Sequence, residues 1–210
     1  MWELVKAGGW LMLPLLLCSI FTIAISIERF VRLKRSLVLP NALLLQQGNT
    51  IDVVVEHLNT HPALKMSSLG QILAIADASK QQNEQYTRAQ MEAVASQEIG
   101  YLEKNINFLG TLSAVAPLLG LLGTVLGIIE SFLVIDMGSS SNPTLMIPGI
   151  SKALITTAAG MLIAVPALFA YRYFQRLVQE YVAELERQAT LFHAAMYHQH
   201  AHCDELNQAS

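Results

Sequence analysis

Three stretches of this chain are apolar almost without interruption: 10–27, 108–135 and 147–171. Each is close to the roughly 20 residues that an α-helix, rising about 1.5 Å per residue, needs to cross a hydrocarbon core of about 30 Å. Elsewhere the apolar positions follow a helical period. Tyr86, Ala89, Ala93, Ile99, Leu102, Ile106 and Leu109 recur mostly three or four apart, with no proline among them, and predict that the second stretch continues outward as one long helix. Phe174, Leu177, Val178, Tyr181, Leu185 and Phe192 form a stripe that extends the third stretch in the same way. A similar pattern covers 63–79, after the break at Pro62. The segment "IDVVVEHL" (51–58) is rich in β-branched residues but reads as helix by its length and setting. The predicted class is therefore an all-α membrane protein with three transmembrane helices, the second and third running on as long helices.

Composition agrees with a chain that is partly in lipid. It is 53% hydrophobic and 14% charged, with a mean hydropathy of +0.42, against about 45–50% apolar and about 25% charged in soluble domains. The first stretch holds no charge and is followed by "ERFVRLKR", with no small-x-small cleavage pattern after it, so it is expected to stay as an anchor.

Charge then sets the orientation. Arg29, Arg32, Lys34 and Arg35 follow the first span; Lys65, Lys80, Arg88 and Lys104 precede the second; Arg172, Arg176 and Arg187 follow the third. With three spans all of these fall on one side, the cytoplasmic one. The expected division is a periplasmic N-terminus (1–9), a first span (10–27), a cytoplasmic helical loop (28–107), a second span (108–135), a periplasmic turn (136–146), a third span (147–171) and a cytoplasmic helical tail (172–210) in an inner membrane. The two cysteines, Cys18 in a span and Cys203 in the tail, predict no structural disulfide.

Lipid offers apolar helices no hydrophobic reason to associate, so small residues that let backbones approach carry the packing signal. Gly120, Gly123 and Gly127 supply one such face; Ala153, Thr157, Gly160, Ala164 and Ala167 supply another. These faces serve either a hairpin within the chain or contacts between subunits. The first span is Leu, Ile and Phe nearly all round and reads as a lipid-facing helix. Pro117 and Pro166 lie deep in their spans, where each removes a backbone hydrogen bond and can kink the helix.

The polar residues of the spans are the candidate chemistry. Thr124 lies six residues inward from Glu130 and Thr157 five inward from Lys152, which in antiparallel helices puts the threonines at one depth and the charges at another, nearer the outer surface. Glu130 and Lys152 are natural ion-pair partners; otherwise each reaches the interface alone. The tail motif "HAAMYHQHAHC" holds His193, His198, His200, His202 and Cys203, but the alternate spacing does not gather His198, His200 and His202 on one helical face, and no metal is expected. No convergent His, Asp or Glu set is present at a membrane surface, and "GLLGTVLG" lacks the lysine of a phosphate loop, so neither an enzyme nor a cofactor is expected.

The paired motifs "APLLGLLGTVLGIIESF" (116–132) and "GISKALITTAAGMLIAVPALFAYRYF" (149–174) resemble those of the MotA/TolQ/ExbB proton-channel family, the ExbB branch first and TolQ second. The resemblance implies a homo-oligomer, pentameric in ExbB-like proteins, enclosing the span of an ExbD-like partner. Proton flow through it would work a TonB-like periplasmic protein for outer-membrane transport. A TolQ-like role in envelope integrity and a non-conducting scaffold are the alternatives, and no nucleic-acid partner is implied. The family threonines fall on Thr124 and Thr157, the expected proton path, with Glu130 and Lys152 an ion pair at its outer mouth. One departure stands out in the third span: ExbB and TolQ proteins typically carry a glutamate there, where this chain reads "GISKAL" with Lys152. Because Glu130 lies at a similar depth on the second span, the acid is expected to have moved across to it, and the family glutamate's role is not carried over to position 152. No Asp, Glu or His lies at the depth of the threonines, so a titrating acid there must come from the partner, whose membrane aspartate is the candidate.

Overall fold

The computed structural model describes residues 9–45, 50–137 and 143–208, with the side chains of 134–137, 143, 145 and 198–208 outside the description. The helices in chain order are α1 (Met12–Arg32), α2 (Arg35–Val38), α3 (Ile51–Thr60), α4 (Pro62–Lys65), α5 (Ser68–Ser79), α6 (Glu84–Glu103), α7 (Ile106–Met137) and α8 (Ile147–Gln208), with 3₁₀ turns at Asn41–Leu43 and Pro143–Met146. No strand occurs among the described residues. Three of these helical stretches are long and apolar enough to cross a membrane: α1, the stretch ending in α7, and α8. The segment 51–58 is helical despite its β-branched residues.

The chain divides into two compact units, Met1–Arg29 with Asn105–Phe174, and Phe30–Lys104 with Gln175–Ser210. In the first, α1 turns Met12, Leu15, Thr22 and Ile25 inward and leaves Leu13, Leu17, Ile20, Phe21, Ile23 and Ile27 exposed. Met12 and Leu15 meet Ala116 of α7 and Ala164 of α8 in a small buried cluster. The outward apolar side is what a helix facing lipid requires.

The second unit is built as soluble helical domains are. Ser67 caps α5 by accepting from Gly70 N at 3.0 Å, and Asn83 caps α6 by accepting from Gln85 N at 3.1 Å. Leu69, Ile72, Leu73 and Ala76 of α5 are buried. The α8 tail buries Val178, Tyr181, Leu185 and Phe192 as its stripe predicts. Side chains of that tail also satisfy backbone groups of the loop: Tyr181 Oη donates to Leu33 O at 2.9 Å, and Leu45 N donates to Gln188 Oε1 at 2.9 Å. Gln188 Nε2 donates in turn to Glu184 Oε1, and the Arg187 guanidinium hydrogen-bonded to Glu184 holds that carboxyl below its usual range.

Three sequence expectations need correction. The long helix predicted through 86–135 is interrupted at Lys104–Asn105, where Asn105 adopts a left-handed φ of 63°. Asn tolerates this conformation better than any residue but Gly, and here its Nδ2 donates to Glu28 Oε2 at 3.4 Å. The stripe in α6 is displaced: Thr87, Met91, Glu98 and Leu102 are buried, whereas Tyr86, Ala89 and Ala93 are exposed. Thr87 holds its inward place by donating to Ser79 O at 2.9 Å and accepting from Tyr197 Oη at 3.0 Å. The pattern over 63–79 is two helices, α4 and α5, because the Ser67 cap restarts the chain.

Candidate functional site

The glycines of α7 sit where α8 comes closest. A Cβ at Gly120 would stand 3.1 Å from Thr157 Cα, at Gly123 2.7 Å from Thr156 Cβ, and at Gly127 2.7 Å from Ala153 Cβ; one at Gly160 would stand 2.7 Å from Ala116 O. At Gly123, Gly127 and Gly160 a Cβ forces a neighbour to shift, and at Gly120 it is accommodated only if α8 gives by a few tenths of an ångström. The small-residue faces therefore close on each other within one chain, with Ala153 buried in the seam and Ala164 buried where the seam meets α1. Both α7 and α8 continue through Pro117 and Pro166 without a break.

Hydroxyls lie along the same seam. Thr157 Oγ1 donates across it to Gly120 O at 2.9 Å and along its own helix to Ala153 O at 3.3 Å. Thr124 Oγ1 donates to Leu121 O at 2.6 Å. The two threonines thus hang on successive carbonyls of α7, while no hydrogen bond joins their hydroxyls among the described residues. Two further hydroxyls escaped the sequence reading. Ser131 is 2% exposed and donates to Gly127 O, with Met146 O at 3.3 Å; Thr156 is 1% exposed and donates to Lys152 O. Their only sequence signal is their spacing, four beyond Gly127 and three beyond Ala153.

Lys152 Nζ reaches both carboxylate oxygens of Glu130, at 2.8 Å and 3.0 Å, bridging the two helices near the Pro143–Met146 turn. The pair is not sealed: 30% of the lysine side chain and 54% of the glutamate side chain are exposed. Gly9, with φ at +72°, passes over the Lys152 stem where any Cβ would collide with it.

Angle separates what depth alone had put in series. At about 100° per residue, Thr124 and Glu130 stand about 120° apart on α7, and Thr157 and Lys152 about 140° apart on α8. The glycine seam lies between them. Thr124 and Thr157 share one flank of the hairpin, and Glu130 and Lys152 share the other, where they border a cavity of about 260 Å³ with Trp10, Leu11 and Thr156. Among the described residues no group of three or more His, Cys, Asp or Glu has an arrangement that could hold a metal ion. His193 rests against the Tyr197 ring at 5.0 Å; the side chains of His198, His200, His202 and Cys203 lie outside the described residues.

Residues 57–187 match the family model described as the MotA/TolQ/ExbB proton channel family. The chain belongs to this family. It is similar to the ExbB-like 1 biopolymer transport protein of Synechocystis, 35% identical over 172 residues, 79% of this chain and 66% of that protein. It is also similar to the biopolymer transport protein ExbB of Salmonella typhimurium, 39% identical over 85 residues, 40% of this chain and 35% of the relative. With the Tol-Pal system protein TolQ of Haemophilus influenzae it shares 34% identity over 111 residues, 51% of this chain and 49% of that one. The matches thus span from about a third to just under two thirds of these relatives' lengths. Membership of MotA/TolQ/ExbB makes this a membrane protein of a proton-channel family and not of an enzyme family. Both family motifs fall on the glycine seam and its two flanks.

Proposed function

We propose that this chain is the proton-channel subunit of a TonB- or Tol-type system, ExbB-like in its client, working as a homopentamer around the span of an ExbD-like partner and driving a TonB-like periplasmic protein. Its N-terminus is periplasmic and its tail cytoplasmic. The observation that carries the reading is the threonine flank. Because Thr124 and Thr157 spend their hydroxyl hydrogens on α7 carbonyls, each leaves oxygen lone pairs free to accept a hydrogen bond. A protonated carboxyl on a neighbouring span can donate to them. Once that acid loses its proton, a hydroxyl can swing off its carbonyl and donate to the carboxylate instead. The threonines favour both forms in turn without titrating themselves, and the proton is carried by the partner's acid.

Thr124→Val or Thr157→Val keeps the side-chain shape and removes the hydroxyl. Either should leave assembly intact and lower proton flux by about 10-fold or more, the scale of one lost hydrogen bond in a transition state, in vesicles that contain the partner. Unchanged flux in both variants would sink the reading. The similarity to TolQ keeps envelope maintenance as a second reading. Restoration of detergent resistance, without restoration of energised outer-membrane uptake, in cells lacking both systems would assign the chain to it.

A further inference from the structure

We propose that the cavity beside the Glu130–Lys152 pair binds the headgroup of a phospholipid bearing a primary ammonium, of the phosphatidylethanolamine type, in the leaflet at that end of the hairpin. The cavity is bounded by Trp10 and Leu11 at the entry to α1, by Leu126 and Ile129 of α7, and by the ion pair. It opens on the flank opposite the threonines. Trp10 and Leu11, on its edge, lead directly into α1, whose Leu13, Leu17, Ile20 and Phe21 are exposed and apolar, and Ile129 on its α7 wall is exposed as well, so this flank suits contact with lipid.

Charge selects the headgroup. A lone anion drawn to Lys152 would also meet the Glu130 carboxylate, and a lone cation drawn to Glu130 would meet the Lys152 ammonium; the two charges lie within 3.0 Å of each other. Only a zwitterion satisfies both, with its phosphate accepting from Lys152 Nζ and its ammonium donating to Glu130. Both side chains are exposed enough to be reached, at 30% and 54%. Phosphatidylcholine has the same net charge but its quaternary ammonium has no N–H to give, and phosphatidylglycerol brings no cation. Trp10, 73% exposed just before α1, is the kind of side chain that anchors at headgroup level. The exposed Ile129 and the half-buried Leu126 offer an apolar track for the glycerol and upper acyl chain.

The test uses the full chain, purified in mild detergent and equilibrated with equal amounts of dioleoyl phosphatidylethanolamine, phosphatidylcholine and phosphatidylglycerol, with retained lipid counted by native mass spectrometry. We expect phosphatidylethanolamine to be retained about 10-fold over each of the others, and the double variant E130Q/K152Q to lose that preference. I129W, which fills the cavity and leaves both charges, should lose it too and covers the case in which the double variant fails to fold. T124V, on the other flank, should keep it. Soluble glycerophosphoethanolamine should compete only weakly, since it lacks the chains that lie on Ile129; full competition would make the ligand a free phosphate ester and overturn the lipid assignment. Equal retention of the three lipids by the unmodified chain, or an unchanged preference in I129W, would overturn the proposal as well. So would a photo-crosslinker at Ile129 that joins a second copy of the chain in place of lipid.

Discussion

The helix α8 takes part in two kinds of packing and changes its residues between them. From Gly149 to Ala167 its inward positions are Gly149, Ala153, Thr156, Gly160, Ala164 and Ala167; farther along they are Phe174, Val178, Tyr181, Leu185 and Phe192. In water, burying a large apolar side chain contributes about 1.5–3 kcal/mol, so bulk at the contact stabilises. Lipid is as apolar as the side chains, and that term disappears. What remains is close contact between backbones, which requires that the side chains there be small. The polar groups divide along the same line. In the span the hydroxyls of Thr156, Thr157 and Ser131 return to main-chain carbonyls of the hairpin. In the tail Tyr181 and Gln188 reach loop backbone more than 140 residues away in sequence.

Substitutions that exchange the two kinds of packing should test this contrast, and the largest effect is expected in the tail. Phe192→Ala empties a fully buried position and should cost about 3–5 kcal/mol of the Phe30–Lys104 and Gln175–Ser210 unit's stability. The measurement is denaturant unfolding in mild detergent, followed by protease protection of the tail. A loss below about 1 kcal/mol would mean that the tail is not held by burial of bulk. Gly123→Leu makes the opposite error. It adds bulk where a Cβ alone would already meet Thr156 at 2.7 Å, and overpacking of this kind costs about 1–3 kcal/mol. The hairpin should open, giving faster hydrogen exchange at 120–130 and 153–160. Unchanged exchange would mean that the Gly123 face is not closed within the chain.

How much could be read beforehand follows the same division. The seam was legible because Gly120, Gly123 and Gly127 stand out against leucine, and the tail stripe because large residues recur at helical spacing. Reading failed where the inward residue was polar or the deviation small. Thr87 and Glu98 are buried in α6 while Tyr86 and Ala89 are not, so a stripe drawn through apolar residues alone slid off by one. The left-handed Asn105 follows Lys104 with no Gly or Pro to mark it. Thr156 and Ser131 were passed over, since nothing but their spacing from Ala153 and Gly127 marks them. The flanks were missed for a geometric reason: counting residues from the turn between the two spans gives depth along a helix and discards rotation around it.

Rotation also decides what the ion pair should do, and this is the smallest expected effect. A sealed pair that loses one partner costs about 3–5 kcal/mol, but an exposed one couples by only about 0.2–1 kcal/mol. With 54% of Glu130 and 30% of Lys152 exposed, a coupling of about 1 kcal/mol or less is expected from the cycle of Glu130→Ala, Lys152→Ala and both together, read as hairpin stability in the same detergent. The double change should be milder than the two single losses added, because neither charge is then left alone. Glu130→Lys with Lys152→Glu returns the acid to the third span and should preserve the bridge. If the path runs along the threonine flank, Glu130→Gln should reduce proton flux less than Thr124→Val does, since the pair stands about 120° away from Thr124 on α7. The reverse order, with Glu130→Gln abolishing flux and Thr124→Val leaving most of it, would move the path to the cavity side and make Glu130 a carrier of the proton.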